Sequence, residues 1–406
     1  MPLLPDQHAI MTQRGSVAPG SIAVVGAGLG GLTAALALLH RGWRVRVYEA
    51  APMLGEVGAG ISIAAGTGRG LAALGIGPAL LAASLPVPAV AFAHYRTGEL
   101  LAGVYDQGAP VDRGFATARH IHRADLHSIL LGAVRAIDPD AVLTGKRLVD
   151  AGQDSDHAHA RFADGSVIRA DLLIGADGSR SAVRRALFDQ NDPQFSGQVA
   201  FRCLVPIDRA APFMGRGNAV VSIGAARMFH RYLVRGGSLV NVIGIGQNDH
   251  WREEGWNTPA STAEFLADYA DFHPDVTGLI AAAPVDSLIK WGLFVRPPLA
   301  RWNKGRVLLL GDAAHPILPF LGLGAALAIE DGVVLARALA ATPDLAPALD
   351  AYHVARLERV DMVRTQTLRQ GEIIQSADPD AHGMGASPSQ NGALFDYDPT
   401  TVPIHV

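Results

Sequence analysis

The chain has 406 residues, of which 49% are hydrophobic and 18% charged, and its formal net charge is -4. This length predicts two coupled units with large cores rather than one small domain, and the charge gives no electrostatic basis for binding nucleic acid or an anionic membrane. The single cysteine, Cys203, excludes a disulfide within the chain and fits a reducing, cytoplasmic setting.

Residues Met1–Gly20 lack a basic start and a continuous apolar core, so no signal peptide is expected there. Next, Ile22–Val25 reads as a short apolar strand. Gly26, Gly28 and Gly31 then form G-x-G-x-x-G, and the residues to about His40 have helical spacing. Gly42 stops that helix, and a second strand, Val45–Tyr48, ends in Glu49. Each part has a physical task at a dinucleotide. Gly26 permits the tight turn, Gly28 lets a pyrophosphate approach the backbone, and Gly31 allows close helix–strand packing. The helix N-terminus offers N–H groups to the phosphates, and Glu49 can accept hydrogen bonds from a ribose. The motif alone does not separate NAD from FAD.

The stretch Leu32–Leu39 is far shorter than the about 18 apolar residues of a membrane span. His120, His122 and His127 cluster around Arg123, but no carboxylate or cysteine completes a ligand set, so no metal site is predicted. A further strand within Ala170–Leu187 ends in Gly175-Ala176-Asp177-Gly178, followed by a basic helix carrying Arg180, Arg184 and Arg185. Between Asp189 and Ser287 the pattern changes to antiparallel strands, Gly197–Ile207, Asn218–Ile223 and Arg227–Gly246, with a turn at Gly236-Gly237; Ala89–Val104 is expected to add another pair. On Arg227–Val234, Met228, His230 and Tyr232 share one face by alternation. A strand after Gly305 then ends in Gly311-Asp312, and a Pro/Gly-rich loop opens a helix near Ala325. From about Ser376 the composition turns to Ser, Asp, Gly and Pro, which predicts a poorly ordered tail. No internal repeat is seen.

Taken together, "GAGLGG", "LGEVGAGISI" (Leu54–Ile63), "HRADLHSIL" (His122–Leu130), "IGADGSRSAVR", "FHPDVTGLI" (Phe272–Ile280) and "GDAAHPILPFLGLGAALAIED" resemble one family. It is the single-component FAD-dependent aromatic hydroxylases, the group of salicylate and 3-hydroxybenzoate hydroxylases. The likeness runs over nearly all of Ser21–Arg369. It implies an α/β fold, with a Rossmann-like FAD-binding domain (18–88, 105–188 and 286–345) and an inserted, mainly antiparallel β-sheet substrate domain (89–104 and 189–285). A C-terminal helix (346–375) and the tail (376–406) complete it. It further implies bound FAD, transient NADH or NADPH, O₂, and insertion of one oxygen atom into a small aromatic substrate. The expected assembly is a monomer or homodimer with no membrane or nucleic-acid partner.

By the same likeness, Gly26, Gly28 and Gly31 hold the pyrophosphate, Glu49 the adenosine ribose, and Arg123 reaches the dinucleotide. Asp177 belongs to the motif linked to FAD and the nicotinamide donor, and Asp312 to the ribityl or pyrophosphate region. Leu29, Ala50, Gly60, Ile61, Leu126 and Leu148 line the same site. Pro319, Gly322, Gly324, Ala325 and Ala326 surround the flavin ring, with the helix dipole favouring its reduced form.

The chain departs from its relatives at the substrate. Hydroxylases of this type often carry a His at Met228 and a Gln at Leu323; here both are apolar, and Pro319 completes that pocket. The common Pro-Asn-Ala after "GAGISI" is replaced by Ala64-Ala65-Gly66. His230 is therefore the candidate base, with Tyr232 and Arg202 as candidates for gripping a hydroxyl or carboxylate. Three readings stay open: ring hydroxylation, another flavin oxygenation of a less acidic substrate, and a flavoprotein that binds without turnover.

Overall fold

The computed structural model describes residues 20–55, 59–87, 90–101, 112–215, 217–224, 226–248, 251, 257–376, 378 and 392–406. Its centre is a six-stranded sheet in the order Asn303–Lys304, Val307–Leu309, Leu172–Gly175, Ser21–Val25, Arg44–Tyr48, Val142–Leu143. All neighbours are parallel except the edge pair Asn303–Lys304 with Val307–Leu309. Leu172–Gly175 and Val307–Leu309 are buried throughout and read as continuous apolar runs, as parallel strands covered on both faces must. Because the strands run the same way, the Gly26 turn, Glu49, the Gly175–Asp177 turn and the Gly311–Asp312 turn all emerge at one edge of the sheet.

Helix Leu29–His40 packs under helix Gly324–Ala341, and a Cβ on Gly332 would come within 2.7 Å of the Ala34 nitrogen. That approach needs the glycine, since backbone cannot yield as a flexible side chain can. The long helix Leu345–Ile374 closes this unit. Among the described residues, no helix is long and apolar enough to cross a membrane.

The second unit is a seven-stranded sheet in the order Thr258–Pro259, Ile289–Val295, Gln194–Pro206, Leu239–Gln247, Arg227–Val234, Ala219–Gly224, Ala91–His94. It is antiparallel apart from the last pair. Ile289–Val295 lies inside the stretch that the sequence assigns to the first unit (286–345), yet it pairs with Gln194–Pro206. The chain crosses between units after that strand, not before it. The expected partner strand within Ala89–Val104 is Ala91–His94, with a lone bridge from Ala93 to Leu100; residues 102–111 lie outside the described set. One face of the sheet buries Phe201, Cys203, Val205, Phe229 and Val242 with residues of the helices Thr262–Asp268 and Pro274–Ala282. The other face carries the candidate substrate residues.

The expected poorly ordered tail needs correction at its end. Residues 379–391 lie outside the described set, but residues 392–406 fold back onto the first unit. Arg359 donates to the Leu394 carbonyl (2.8 Å), Arg337 to the Pro399 carbonyl (2.8 Å), and Arg69 pairs with Asp398 (2.7 Å). The Tyr397 ring lies 4.9 Å from the Arg356 guanidinium and 4.7 Å from that of Arg359. Composition hides this docking because a few anchors, Leu394, Tyr397 and Asp398, carry it.

Candidate active site

The glycine turn is built as its spacing requires. Gly26 has φ +104°, and a Cβ there would lie 2.4 Å from the Ala176 carbonyl oxygen. A Cβ on Gly31 would lie 2.1 Å from the Gly26 oxygen. At Gly28 the result is opposite: a Cβ would meet nothing within 4 Å, so the backbone there faces open space. No side chain caps helix Leu29–His40, whose first-turn N–H groups point the same way. The Ala27 peptide is clamped on both sides. Its N–H donates to Glu49 Oε2 (2.8 Å), and its carbonyl takes a hydrogen bond at His127 Nε2 (2.8 Å). Glu49 Oε1 accepts from Ala51 N (2.8 Å), which still leaves each carboxylate oxygen a lone pair for a ribose hydroxyl.

Opposite lies the Gly311–Asp312 turn. Gly311 has φ +57°, and its N–H donates to Asp331 Oδ2 (2.8 Å). The same oxygen meets His315 Nε2 (2.7 Å), while Oδ1 accepts from Arg356 Nε (2.7 Å). The neighbouring Glu330 pairs with Arg356 (3.0 Å) and Arg359 (3.1 Å) and accepts from Thr67 (3.1 Å). Burial pushes the Asp331 carboxyl up, but His315 and Arg356 more than offset it and hold it well below the usual carboxylate range. This fully buried network was missed from sequence. Two adjacent acids in an otherwise apolar helix, with Arg356 and Arg359 one turn apart on the next, were its only signal.

Asp312 itself is exposed, yet the protein packed about its carboxyl raises its pKa against the pull of His315 and Arg123. Its carboxylate takes no hydrogen bond among the described residues. An acid with a raised pKa and no hydrogen bond of its own is a candidate ligand-binding group. Arg123 begins helix Arg123–Ile137, close enough to lower Asp312, and its N–H donates to the Ala59 carbonyl (2.7 Å). On the same rim, Gly322 has φ +66° after the short turn Pro319–Leu321. Helix Gly324–Ala341 then opens with no side-chain cap. Near Gly324 a Cβ would find only Ile317, at 3.8 Å.

Other expected residues sit differently. Asp177 spends its carboxylate on its own helix: Ser181 Oγ (2.5 Å), Ala182 N (2.7 Å) and Val183 N (3.2 Å) all donate to it. The side chains of Leu126, Leu148 and Ala326 lie in the apolar core, as does that of Leu29. Ala50 and Ile61 are half-buried at the cleft. Gly60 joins the two units: its N–H donates to Asn241 Oδ1 (2.7 Å), and a Cβ would lie 2.4 Å from the Tyr232 ring. Only glycine admits that ring.

The cleft face of the large sheet is set by register. Ile223, Met228, Ile245, Ala200 and Trp291 align across it in one row. Val221, His230, Ile243, Arg202 and Ile289 form the next, and Ala219, Tyr232, Asn241 and Leu204 a third. The first row is apolar and packs with Leu318 and Phe320. Leu323 is buried as well. The second and third rows carry the polar groups. The Tyr232 ring stacks 4.0 Å from His120 and 4.7 Å from His230, and Arg202 lies 5.1 Å over Trp291.

His230 faces the cleft, but its Nε2 is buried without a hydrogen-bond partner. Burial, with Arg231 adding, lowers its pKa to about 3. His120 is likewise driven well below its ordinary value by burial, and Tyr232 pushed up by the same cause. Burial thus biases this imidazole toward its neutral form, which bears on its candidacy as a base. His120, Asn241 and Trp291 join the face unanticipated, because strand pairing rather than sequence brings them there. The other two histidines of the cluster around Arg123 have structural partners, His127 on the glycine turn and His122 beside Asp125 (3.8 Å) and Arg235 (3.3 Å).

These parts fit a dinucleotide that bears a ring: a glycine cradle, two uncapped helix N-termini, and an unsatisfied Asp312 beside Arg123. The family model for the FAD binding domain matches residues 20–367. The chain belongs to this FAD-binding family. It is 36% identical to 6-hydroxynicotinate 3-monooxygenase of Pseudomonas fluorescens, over 84% of this chain and 89% of that protein. It is 33% identical to 3-hydroxybenzoate 6-hydroxylase 1 of Aquipseudomonas alcaligenes, over 90% and 92%. Klebsiella pneumoniae HpxO, solved with FAD and uric acid, superposes with a TM-score of 0.81 at 27% identity, over 97% of this chain and 100% of that one. The chain is an FAD-dependent monooxygenase of the aromatic hydroxylase type, served by NAD(P)H as its family is.

Proposed function

We propose that this monooxygenase hydroxylates a small, electron-rich aromatic or heteroaromatic ring bearing a hydroxyl or carboxyl group. The ring would lie between the sheet's cleft face and the Pro319–Leu323 loop. The observation that carries this reading is the graded face itself: an apolar row at Met228, Ile245 and Trp291, then a polar patch of His230, Tyr232, His120 and Arg202. The relatives' names, a hydroxynicotinate and a hydroxybenzoate hydroxylase, support the substrate class.

In this reading the Gly26–Gly31 turn and its helix hold the pyrophosphate, Glu49 the ribose, and Asp312 with Arg123 the sugar-phosphate bridge. Helix Gly324–Ala341 directs its positive end at the flavin ring. Asp177 acts by holding its helix in place. FAD held by these residues would supply the hydride acceptance from NAD(P)H and the activation of O₂ that the hydroxylation needs. Met228, Leu323 and Trp291 exclude water from that encounter. Arg202 pairs with a substrate carboxylate or hydroxyl, and neutral His230 accepts a hydrogen bond at Nε2 rather than removing a proton.

A second reading, oxygenation of a less acidic substrate, is favoured by that same neutrality. Both are tested by one experiment. Stimulated NADH and NADPH oxidation would be measured over a panel of hydroxylated aromatic acids, their pyridine analogues and neutral phenols, with product mass and regiochemistry. Stimulation by neutral compounds alone would select the second reading; no stimulation by any compound would defeat both.

A further inference from the structure

Arg296 follows strand Ile289–Val295 and is 8% exposed, yet its Nε, Nη1 and Nη2 all lack a hydrogen-bond partner. A guanidinium carries five N–H donors, and burying them unpaired with their charge is among the costliest arrangements in a protein. The surroundings sharpen the problem. Arg184, fully buried on helix Ala182–Leu187, lies near enough to repel Arg296. Its Nη1 donates to the carbonyls of Ala313 (3.3 Å) and Ala314 (3.2 Å), and its Nη2 to the Pro297 carbonyl (3.2 Å) and Asp189 Oδ2 (3.2 Å). Its Nε is buried and unpartnered.

The carboxylates at hand already hold other donors, and neither bonds Arg296. Asp189 bonds Arg184 and receives Asn191 N (2.8 Å). Asp192 pairs with Arg185 (3.2 Å) at the exposed surface. Two buried guanidiniums thus share the field of Asp189, and four of their nitrogens, Arg296 Nε, Nη1 and Nη2 and Arg184 Nε, have no acceptor. A water molecule could accept some of these bonds but would leave the excess charge uncompensated.

We propose that Arg296 and Arg184 form a buried site for a small inorganic anion, of halide or compact oxyanion size. It lies between helix Ala182–Leu187, the Pro297 loop and the Gly311–Ala314 turn. Burial depresses the pKa of both arginines, and Asp189, with Asp192 acting on Arg296, offsets that only in part. The anion supplies the remaining negative charge and satisfies the orphaned donors. Because Arg184 grips the Ala313 and Ala314 carbonyls, filling the site also steadies the turn that carries Asp312. This inference does not depend on the substrate reading.

The test uses the FAD-loaded enzyme in bromide or chloride, with gluconate holding ionic strength constant. The melting temperature should rise saturably with halide, by about 2 °C or more at saturation. Arg296→Gln should abolish the saturable part. A crystal grown in bromide should show an anomalous peak within hydrogen-bond distance of Arg296. That measurement needs only the wild-type protein, so it decides the matter even if the variant folds poorly. No peak at Arg296, or a linear halide response identical in wild type and variant, would overturn the proposal. Displacement of the bromide by NADP⁺ would assign these donors to the reductant's phosphate and equally overturn a free-anion site.

Discussion

His230 offers the sharpest test, because two readouts follow from one burial. Its folded pKa is about 3, lowered first by burial and then by Arg231, against an ordinary value of about 6.5. An imidazole this acidic cannot deprotonate a phenol of pKa ~10 to any useful extent. His230→Ala should therefore lose one hydrogen bond to the substrate, about 0.5–1.5 kcal/mol or roughly 2–10-fold in kcat/KM. It should not lose the ~10²–10⁴-fold of a general base. The kcat/KM profile of wild type from pH 5.5 to 8.5 (roughly the span a histidine switches) should show no inflection that the mutation removes. Stability moves as well. The folded pKa lies below the unfolded one, so the unfolded chain binds the proton first. His230's contribution is complete above about pH 6.5 and declines as pH falls toward 3. At pH 5 the loss from this residue should be about 2 kcal/mol. His230→Leu should flatten the decline measured by denaturant unfolding at pH 7, 6 and 5, while His120 continues to contribute in the same direction. An inflection near pH 6.5 in the wild-type rate that vanishes in His230→Ala would refute the reasoning.

Asp312→Ala should weaken FAD binding about 10–100-fold, the worth of a charge-assisted hydrogen bond, with the apoprotein's melting temperature unchanged; flavin fluorescence titration measures it. Asp331→Ala removes the carboxylate that Arg356 Nε, His315 Nε2 and the Gly311 N–H share, leaving Arg356 with Glu330 alone in a buried site, and should cost about 3–5 kcal/mol in denaturant unfolding. Because the Asp331 pKa is depressed, its contribution is present above the unfolded value of about 3.9 and is lost only as pH falls further, so the penalty should be unchanged between pH 6 and 8. Ending the chain at Asn391 removes Tyr397 from Arg356 and Arg359, and Asp398 from Arg69; the melting temperature of the FAD-loaded enzyme should fall by several degrees, and an unchanged value would show the segment contributes nothing.

The cofactor half of the site was legible because its signals are local. Gly26 and Gly31 leave no room for a Cβ, and they, the uncapped helix start and the strand-terminal Glu49 all fall within the one strand–turn–helix–strand unit Ser21–Glu49. The same locality explains what the reading got only in part. Asp177 was singled out for the cofactor, but its hydrogen bonds run to its own helix, a choice of rotamer that spacing does not reveal. Ile289–Val295 is a strand in either assignment; which sheet it joins depends on Gln194–Pro206, almost a hundred positions earlier.

Sequence alone thus determined the parallel sheet, the dinucleotide turn and the family, since turn sterics and helix termini act over a handful of neighbouring residues. Alternation also placed Met228, His230 and Tyr232 on one face. Tertiary structure decided what that face does. The same histidine has an ordinary pKa in water, but one lowered to about 3 when His120, Tyr232 and the surrounding strands strip its solvent, with Arg231 adding. Desolvation is a sum over everything packed around a group, and the groups packed around His230 come from strands that meet only when the chain has folded.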